Sequence, residues 1–583
     1  MTFHFTTLRS PSVALLSFIP IFLASCSPQY WSQDADKDVY TLLHNNEVSL
    51  FGEAVEFDIS TPHSADDPEE LRAVEILAER RSKETHKIDL DEAITMAVEN
   101  GRDYQTEKEN LYLVGLDLTR ARHDFSPQFD ASSGAGLDNT WVDGEHTQNQ
   151  TSIPTRLGFD QLMRSGGFLA LDLAHNIFKF YLGGGAAPPT TFLVAKLNQP
   201  LLRGRGKVAT ESLTQRKRNV AYAIRSFSRY QKRHALDITS DYYRILQEKD
   251  RVQNEYFNYR NLIAFTERAT ELAEDRLPRF QVDQARQDEL RARNRYILAV
   301  DSYRRLVDQF KLTLGMPVGG ELFLDDQVLT ALSRTGLTSV PLDESSAIDI
   351  AIENRLDLLN QVDQFEDAQR KLVVAADAFK PGLDLFADLS MDSYGGHDYS
   401  NFDPEVYRTR LGVDLDLPVD NLDARNSYRR SEISFERQLR ELALALDEIQ
   451  FEVRSGIRGL ELARQSYDIQ VNALRLANQR VDAVNLLLET DRAETRDLLE
   501  ARNAQLSARN ALTSALISYH LTRLELLFDL GIFDPTLSQF WVRNPEIPQS
   551  SRNNSTTDLV SPASPAEGAP LITPEELFQE SSL

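Results

Sequence analysis

Apolar residues recur in sevens along one proline-free stretch, residues 421–488. Leu439, Leu446, Val453, Leu460, Tyr467, Leu474, Val481 and Leu488 form one row. Leu442, Ile449, Gly456, Ala463, Gln470, Ala477 and Val484 form its companion, large at first and then mostly small. A sustained heptad predicts a helix that supercoils left-handedly against partners. At 1.5 Å per residue it would run about 100 Å, more than a compact domain needs. A second proline-free helical run follows Arg203-Gly204 and reaches about Leu277, roughly 105 Å, before Pro278 marks a tip. A shorter helix then continues to the stop Leu314-Gly315-Met316-Pro317. Upstream, Ile88 to Asp124 reads as a helix that Asp89 or Asp91 can cap, with Ala93, Met96, Ala97, Leu111, Val114 and Leu118 as its stripe.

Between these helices the period changes to two. Phe129, Ala131, Ser133, Ala135 and Leu137 alternate with Asp130, Ser132, Gly134, Gly136 and Asp138, as one strand requires. A second strand is expected over Arg156–Met163 and a third over Phe168–Tyr181, joined by the turn Arg164-Ser165-Gly166-Gly167. A Gly- and Pro-rich loop, Gly183–Pro189, leads to a fourth over Thr190–Leu202.

The pattern then repeats. Ala93-Ile94-Thr95-Met96-Ala97-Val98-Glu99-Asn100 matches Ala347-Ile348-Asp349-Ile350-Ala351-Ile352-Glu353-Asn354, and Phe125, Pro127, Phe129 and Asp130 match Phe379, Pro381, Leu383 and Asp384. Ala285-Arg286, Leu290, Ala292-Arg293-Asn294, Tyr303 and Leu314-Gly315 match Ala501-Arg502, Leu506, Ala508-Arg509-Asn510, Tyr519 and Leu530-Gly531. The chain is a tandem duplication. Its second half has one evident strand pair: Leu383, Leu385, Ala387 and Leu389 lie opposite Asp384, Phe386, Asp388 and Ser390, and Leu411, Val413, Leu415 and Leu417 lie opposite Arg410, Asp414 and Asp416. The first half carries about one hairpin more. In each half, two shorter helices of about 35–39 residues laid end to end equal the long one at 1.5 Å per residue.

Composition narrows the function. The 583 residues carry a net charge of −26, against the basic footprint that nucleic-acid binding needs. The only cysteine, Cys26, ends Leu23-Ala24-Ser25-Cys26 directly after the apolar run Val13–Ala24. That run is too short to span a bilayer, and its end looks like a bacterial lipobox, in which the thiol takes a diacylglycerol. Ser27 at the next position implies sorting to the outer membrane. No other stretch suits a transmembrane helix, so any bilayer crossing must be made by strands in a closed barrel. Two to four strands per half cannot close one alone; copies from other chains are required. A water-exposed sheet on a soluble core alternates in the same way and stays open as an alternative. The ten histidines lack metal-ligand spacing, and Gly204-Arg205-Gly206-Lys207-Val208 lacks the Ser/Thr and glycine spacing of a phosphate loop; it reads as a strand-to-helix bend. No cofactor and no enzymatic activity are expected.

The duplicated helix–strand–strand–helix–helix plan, the strand exit Leu197-Asn198-Gln199-Pro200-Leu201-Leu202 and the ends Leu314-Gly315 and Leu530-Gly531 resemble the TolC-like outer-membrane efflux proteins. The likeness covers about Lys87 to Phe533. It implies a mixed fold: a long α-helical coiled-coil barrel plus a membrane-spanning β-barrel shared by a homotrimer. It implies an exit duct for an efflux or type I secretion system, docked on a periplasmic adaptor and an inner-membrane pump of RND or ABC type, in contact with outer-membrane lipid. The alternative is a periplasmic coiled-coil adaptor or structural lipoprotein without channel activity. The family has four strands per protomer and twelve in the barrel; the extra hairpin, around Gly158–Asn176, makes eighteen the other possibility. The family's entrance is constricted by an acidic pair, matched here by Asp497 and Glu500, which spacing of three puts on one helical face. Neighbouring Arg492 and Arg496 are candidate latch partners whose pairing the sequence leaves open, and Leu277, Pro278, Thr490 and Asp491 are the expected adaptor-contact tips. The tips lack the glycine that family members often carry there, which leaves the adaptor open. The implied organisation is a signal peptide (1–26), an N-terminal periplasmic segment (27–87), a first repeat (88–317), a linker (318–345), a second repeat (346–533) and a disordered tail (534–583).

Overall fold

The computed structural model describes residues 28–81, 83, 85–142, 145–182, 191–274, 278–393, 405–490 and 492–535. Cys26, Leu277, Asp491 and nearly all of the tail lie outside them. Helices α1 (Pro28–Phe51) and α2 (Ala73–Glu79) and strand β1 (Thr85–Ile88) come first. The first repeat holds α3 (Leu90–Asn100), α4 (Arg102–His123), β2 (Gln128–Ser133), β3 (Gly136–Val142), β4 (Glu145–Leu162), β5 (Phe168–Leu182), β6 (Thr191–Pro200), α5 (Glu211–Leu272) and α6 (Arg279–Thr313). Then come β7 (Glu321–Leu324) and α7 (Gln327–Thr335). The second repeat holds α8 (Glu344–Asn354), α9 (Leu356–Asp377), β8 (Gly382–Asp392), β9 (Arg408–Asp416), α10 (Leu422–Glu489) and α11 (Thr495–Asp529).

The duplication is kept residue for residue in three helix pairs. Helices α3 and α8 have 11 residues each, α4 and α9 have 22, and α6 and α11 have 35. Along α10, of 68 residues, Ile449, Val453, Leu460, Ala477 and Val481 of the two heptad rows are buried. Gly456 lies against Leu526 of α11, which explains why the companion row turns small. Asp89 caps α3 through a capping box with Glu92, its carboxylate accepting from the Glu92 N–H at 2.8 Å.

Both repeats end on the same joint. Gly315 and Gly531 sit at φ 72° and 77°, closing α6 and α11 with the 6→1 bonds Met316 N to Lys311 O (2.8 Å) and Ile532 N to Leu527 O (3.2 Å). A side chain on Gly315 would meet the Asn100 carbonyl at 2.0 Å, and one on Gly531 the Asn354 carbonyl at 2.8 Å. Each glycine therefore seats the end of α3 or α8 against the end of α6 or α11. Gly531→Ala should lower the unfolding temperature more than Gly52→Ala, because Gly52 shares the positive φ after a helix end but faces open space. The left-handed backbone alone costs an alanine about 1–2 kcal/mol; equal losses in the two variants would mean that the joint is not close-packed. Around it lies a core drawn from both repeats, with Tyr242, Tyr243, Phe310, Leu314, Leu524 and Leu527 buried, closed by the parallel pair β1–β7.

One antiparallel sheet runs in the order β2–β4–β5–β6–β8–β9, with β3 also paired to β4. Several expectations need correction. The helix before the strands is not continuous in either repeat: Gly101 and Arg355 adopt extended backbone (ψ 121° and 115°) and split it at the same duplicated position. Arg355 is buried and ion-paired to Asp357 and Glu452, so the second break is held by charge where the first uses glycine. Helix α5 starts at Glu211, later than Arg203-Gly204, because Gly204 and Gly206 have positive φ and turn the chain first. The expected strand 129–138 is two pieces, β2 and β3, interrupted at 134–135, and β4 begins well before Arg156. The segment before Lys87 contains two helices, α1 and α2. Val39, Leu42 and Leu43 of α1 pack on Leu111, Leu118, Val220 and Ile224, and Gly115 lets Val39 come close.

Candidate functional site: the sheet faces and the helical tip

Register makes the two faces of the sheet chemically distinct. Phe129 pairs with Phe159, Phe159 with Leu171, Leu171 with Ala195, and Ala195 with Leu389. The parallel rung Ala131–Leu157–Leu173–Leu193–Met391 lies on the same side. One apolar face thus crosses five strands and continues into Leu411, Val413 and Leu415 of β9. The opposite face is polar: Asp130–Gly158–Asp172–Val194–Ser390–Arg408 is one rung, and Arg156 Nε donates to Asp172 at 2.7 Å. Strands β6, β8 and β9 have 10, 11 and 9 residues, the length a tilted strand needs to cross a bilayer. Among the described residues, the outermost strands β2 and β9 each have one backbone edge without a partner strand; Phe129 is 79% exposed and Leu411 74%.

The long helices carry a second unpartnered feature. Leu462, Ile469 and Leu476 of α10 recur in sevens and are 68%, 62% and 56% exposed. The sequence carried this row in plain sight, but spacing does not distinguish a seam within a chain from one between chains.

At the α10–α11 tip the acidic pair divides. Asp497 accepts from the backbone N–H of Glu494 at 3.1 Å and so caps its own helix, where the amide dipoles favour negative charge. Glu500 accepts from Arg480 of α10 at 2.8 Å, both side chains being about half exposed. Sequence reasoning missed Arg480, which lies twenty residues away along the chain and comes close only when the hairpin folds. Arg492 and Arg496 are exposed and, among the described residues, form no ion pair with either carboxylate. Thr495, almost fully buried, donates to Gln281 of α6 at 3.1 Å, tying the two repeats together at the tip. Farther up, Asn254 of α5 donates to Asn510 at 2.9 Å, and Thr513 to Asp250 at 2.8 Å. Polar pairs in a helix seam set its register. Pro278 and Thr490 are exposed at the tips. The Gly204–Val208 bend docks on the sheet, Gly206 N donating to the Ser165 carbonyl at 3.1 Å. Among the described residues no helix is long and apolar enough to cross a membrane, and no group of side chains is arranged to hold a metal ion.

Residues 347–531, the second repeat, match the family model "Outer membrane efflux protein". No curated protein matches by sequence. Among solved structures, the CmeC outer membrane channel of Campylobacter jejuni is similar at 12% identity and TM-score 0.58, over 85% of this chain and 93% of that one. CusC is similar at 13% identity and TM-score 0.57, over 77% and 93%. The open state of the MtrE outer membrane channel of Neisseria gonorrhoeae gives 14% and 0.56, over 76% and 89%. At such identities the likeness speaks for the fold, and it extends the plan of the matched repeat across its duplicate. The second repeat thus matches the outer membrane efflux protein family, and the chain as a whole shares the fold of solved outer-membrane channels.

Proposed function

We propose that three copies of this chain form a passive outer-membrane exit duct, lipid-anchored at Cys26 and fed by an inner-membrane pump of RND or ABC type through a periplasmic adaptor. The observation that carries this reading is the pair of open sheet edges. An unpaired edge is not tolerated in hydrocarbon. Strands β2 and β9 run antiparallel in the path of the sheet, so β9 of one copy suits β2 of the next, and a ring of copies leaves no edge. The exposed heptad row of α10 supports the same assembly, for it needs a neighbouring helix to cover it. A coiled-coil adaptor has no use for an apolar sheet face of membrane-crossing length.

In such a ring the Asp497 and Glu500 side chains of three subunits converge near the axis at the periplasmic entrance, where clustered carboxylates attract cations. The pairing of Glu500 with Arg480 supports a closed tip. The purified protein should be a trimer in detergent and should conduct in planar bilayers. Glu500→Ala with Asp497→Ala should raise single-channel conductance and weaken block by multivalent cations. A monomer, or a trimer that conducts in neither form, ends the duct reading; an unchanged conductance retires the acidic entrance alone.

A further inference from the structure

The hairpin β4–β5, residues 145–182, is not an appendage to the sheet. It lies between β2 and β6, with residues 155–160 of β4 paired to β2 and residues 168–175 of β5 paired to β6. Its side chains obey the same division as their neighbours: Leu157, Phe159, Leu171 and Leu173 extend the apolar face, while Arg156 and Asp172 pair on the polar one. Its turn is fastened to the base of the sheet. Met163 N donates to Gly167 O at 2.7 Å, and Ser165 Oγ donates to Gln199 Oε1 of β6 at 2.8 Å. Adding a hairpin also preserves strand direction, so β9 still meets β2 of a neighbour antiparallel.

Resting on the trimer proposed above, we infer that the pore across the membrane has eighteen strands, six from each chain, and admits bulky hydrated cargo that a twelve-strand outlet would hold back. Strands spaced about 4.8 Å apart and tilted about 40° close twelve into a ring about 24 Å across and eighteen into one about 36 Å across, backbone to backbone. Each chain presents four helices side by side at any level of the tunnel. Twelve helices about 9.5 Å apart make a ring about 36 Å across. Eighteen strands therefore match the tunnel without a taper. The membrane end becomes the least selective part of the duct, and discrimination by size falls to the helices and the tip.

The test compares the full chain with a variant lacking residues 145–182, which leaves β2 and β3 to pair with β6 and keeps strand parity. Both carry Asp388→Cys on the polar face and are labelled from outside the cell with a graded series of polyethylene-glycol maleimides. The full chain should accept clearly larger reagents than the deletion variant; an equal size limit overturns the inference. Should the variant fail to assemble, the strands of the full-length trimer are counted by electron cryomicroscopy: eighteen upholds the inference, and twelve with the hairpin outside the wall overturns it. A chain that does not trimerise at all refutes the duct reading instead, so the two failures are distinct.

Discussion

Leu197→Lys should strip the membrane of assembled channel, whereas Asn198→Lys, one residue on, should leave it nearly untouched. Strand β6 reads Leu193-Val194-Ala195-Lys196-Leu197, and the chain already places a lysine on its polar face at position 196. Leu197 pairs with Leu169 on one side and Ala387 on the other, so it lies within the apolar face. A lysine facing lipid near the midplane of an outer-membrane barrel costs about 2–4 kcal/mol, less near the interfaces. Each 1.4 kcal/mol is tenfold in an equilibrium, so the assembled fraction should fall about 30-fold or more, and the penalty recurs in every subunit. Asn198 pairs with Phe386 and Phe168 on the other face, where water can reach a charge. The readout is heat-modifiable trimer in outer-membrane fractions. Equal insertion of the two variants would mean that the apolar face does not meet lipid, and the sheet would have to lie on a soluble body.

Asp367→Ala should destabilise the helical part as strongly as any single change in the chain. Asp367 is 3% exposed on α9 and sits at the centre of a network that joins the repeats. It accepts from Arg218, from Tyr222 at 2.7 Å and from Gln215 at 2.9 Å, all on α5, and from Arg370 at 2.8 Å. Arg370 also pairs with Glu211 at 2.8 Å, and Arg225 with Asp363 at 2.5 Å. Removing one member of a buried pair strands the other charges, at a cost of about 3–5 kcal/mol. Asp367→Asn, which keeps some of the hydrogen bonds, should lose less. Burial pushes the Asp367 carboxyl up, but the donors from Arg218, Tyr222, Gln215 and Arg370 outweigh it and leave its pKa lowered. With the folded value below the unfolded one of about 3.9, this contribution is complete above that pH. It drains as pH falls through the folded value. Urea titrations should therefore show the gap between parent and Asp367→Ala closing on acidification; a gap of a few tenths of a kcal/mol at neutral pH would mean that water screens the network.

Much of this architecture was legible along the chain because it depends on near neighbours. A heptad row specifies a supercoiling helix wherever it occurs, and alternation specifies a two-faced strand. The matched stretches Ala93–Asn100 and Ala347–Asn354 return as two helix ends held by the glycines 315 and 531. What escaped involved residues whose role depends on something far away. Helix α1 is acidic and only weakly patterned, yet Val39, Leu42 and Leu43 find an apolar cleft between α4 and α5. The exposed row Leu462, Ile469 and Leu476 has the same spacing as the buried one, so periodicity could not say which of the two faces solvent.

From its sequence alone this chain determined its elements, their duplication and the two chemical faces of its strands, since each follows from side-chain volume and polarity repeating at the period of a helix or a strand. Tertiary structure decided the rest. It seated β4–β5 inside the sheet in place of beside it, because backbone hydrogen bonds and a continuous apolar rung are satisfied only there. It broke the helices at Gly101 and Arg355, which lie against the ends of α6 and α11. And it gave Glu500 to Arg480, since electrostatic attraction acts on distance in space and is indifferent to separation along the chain.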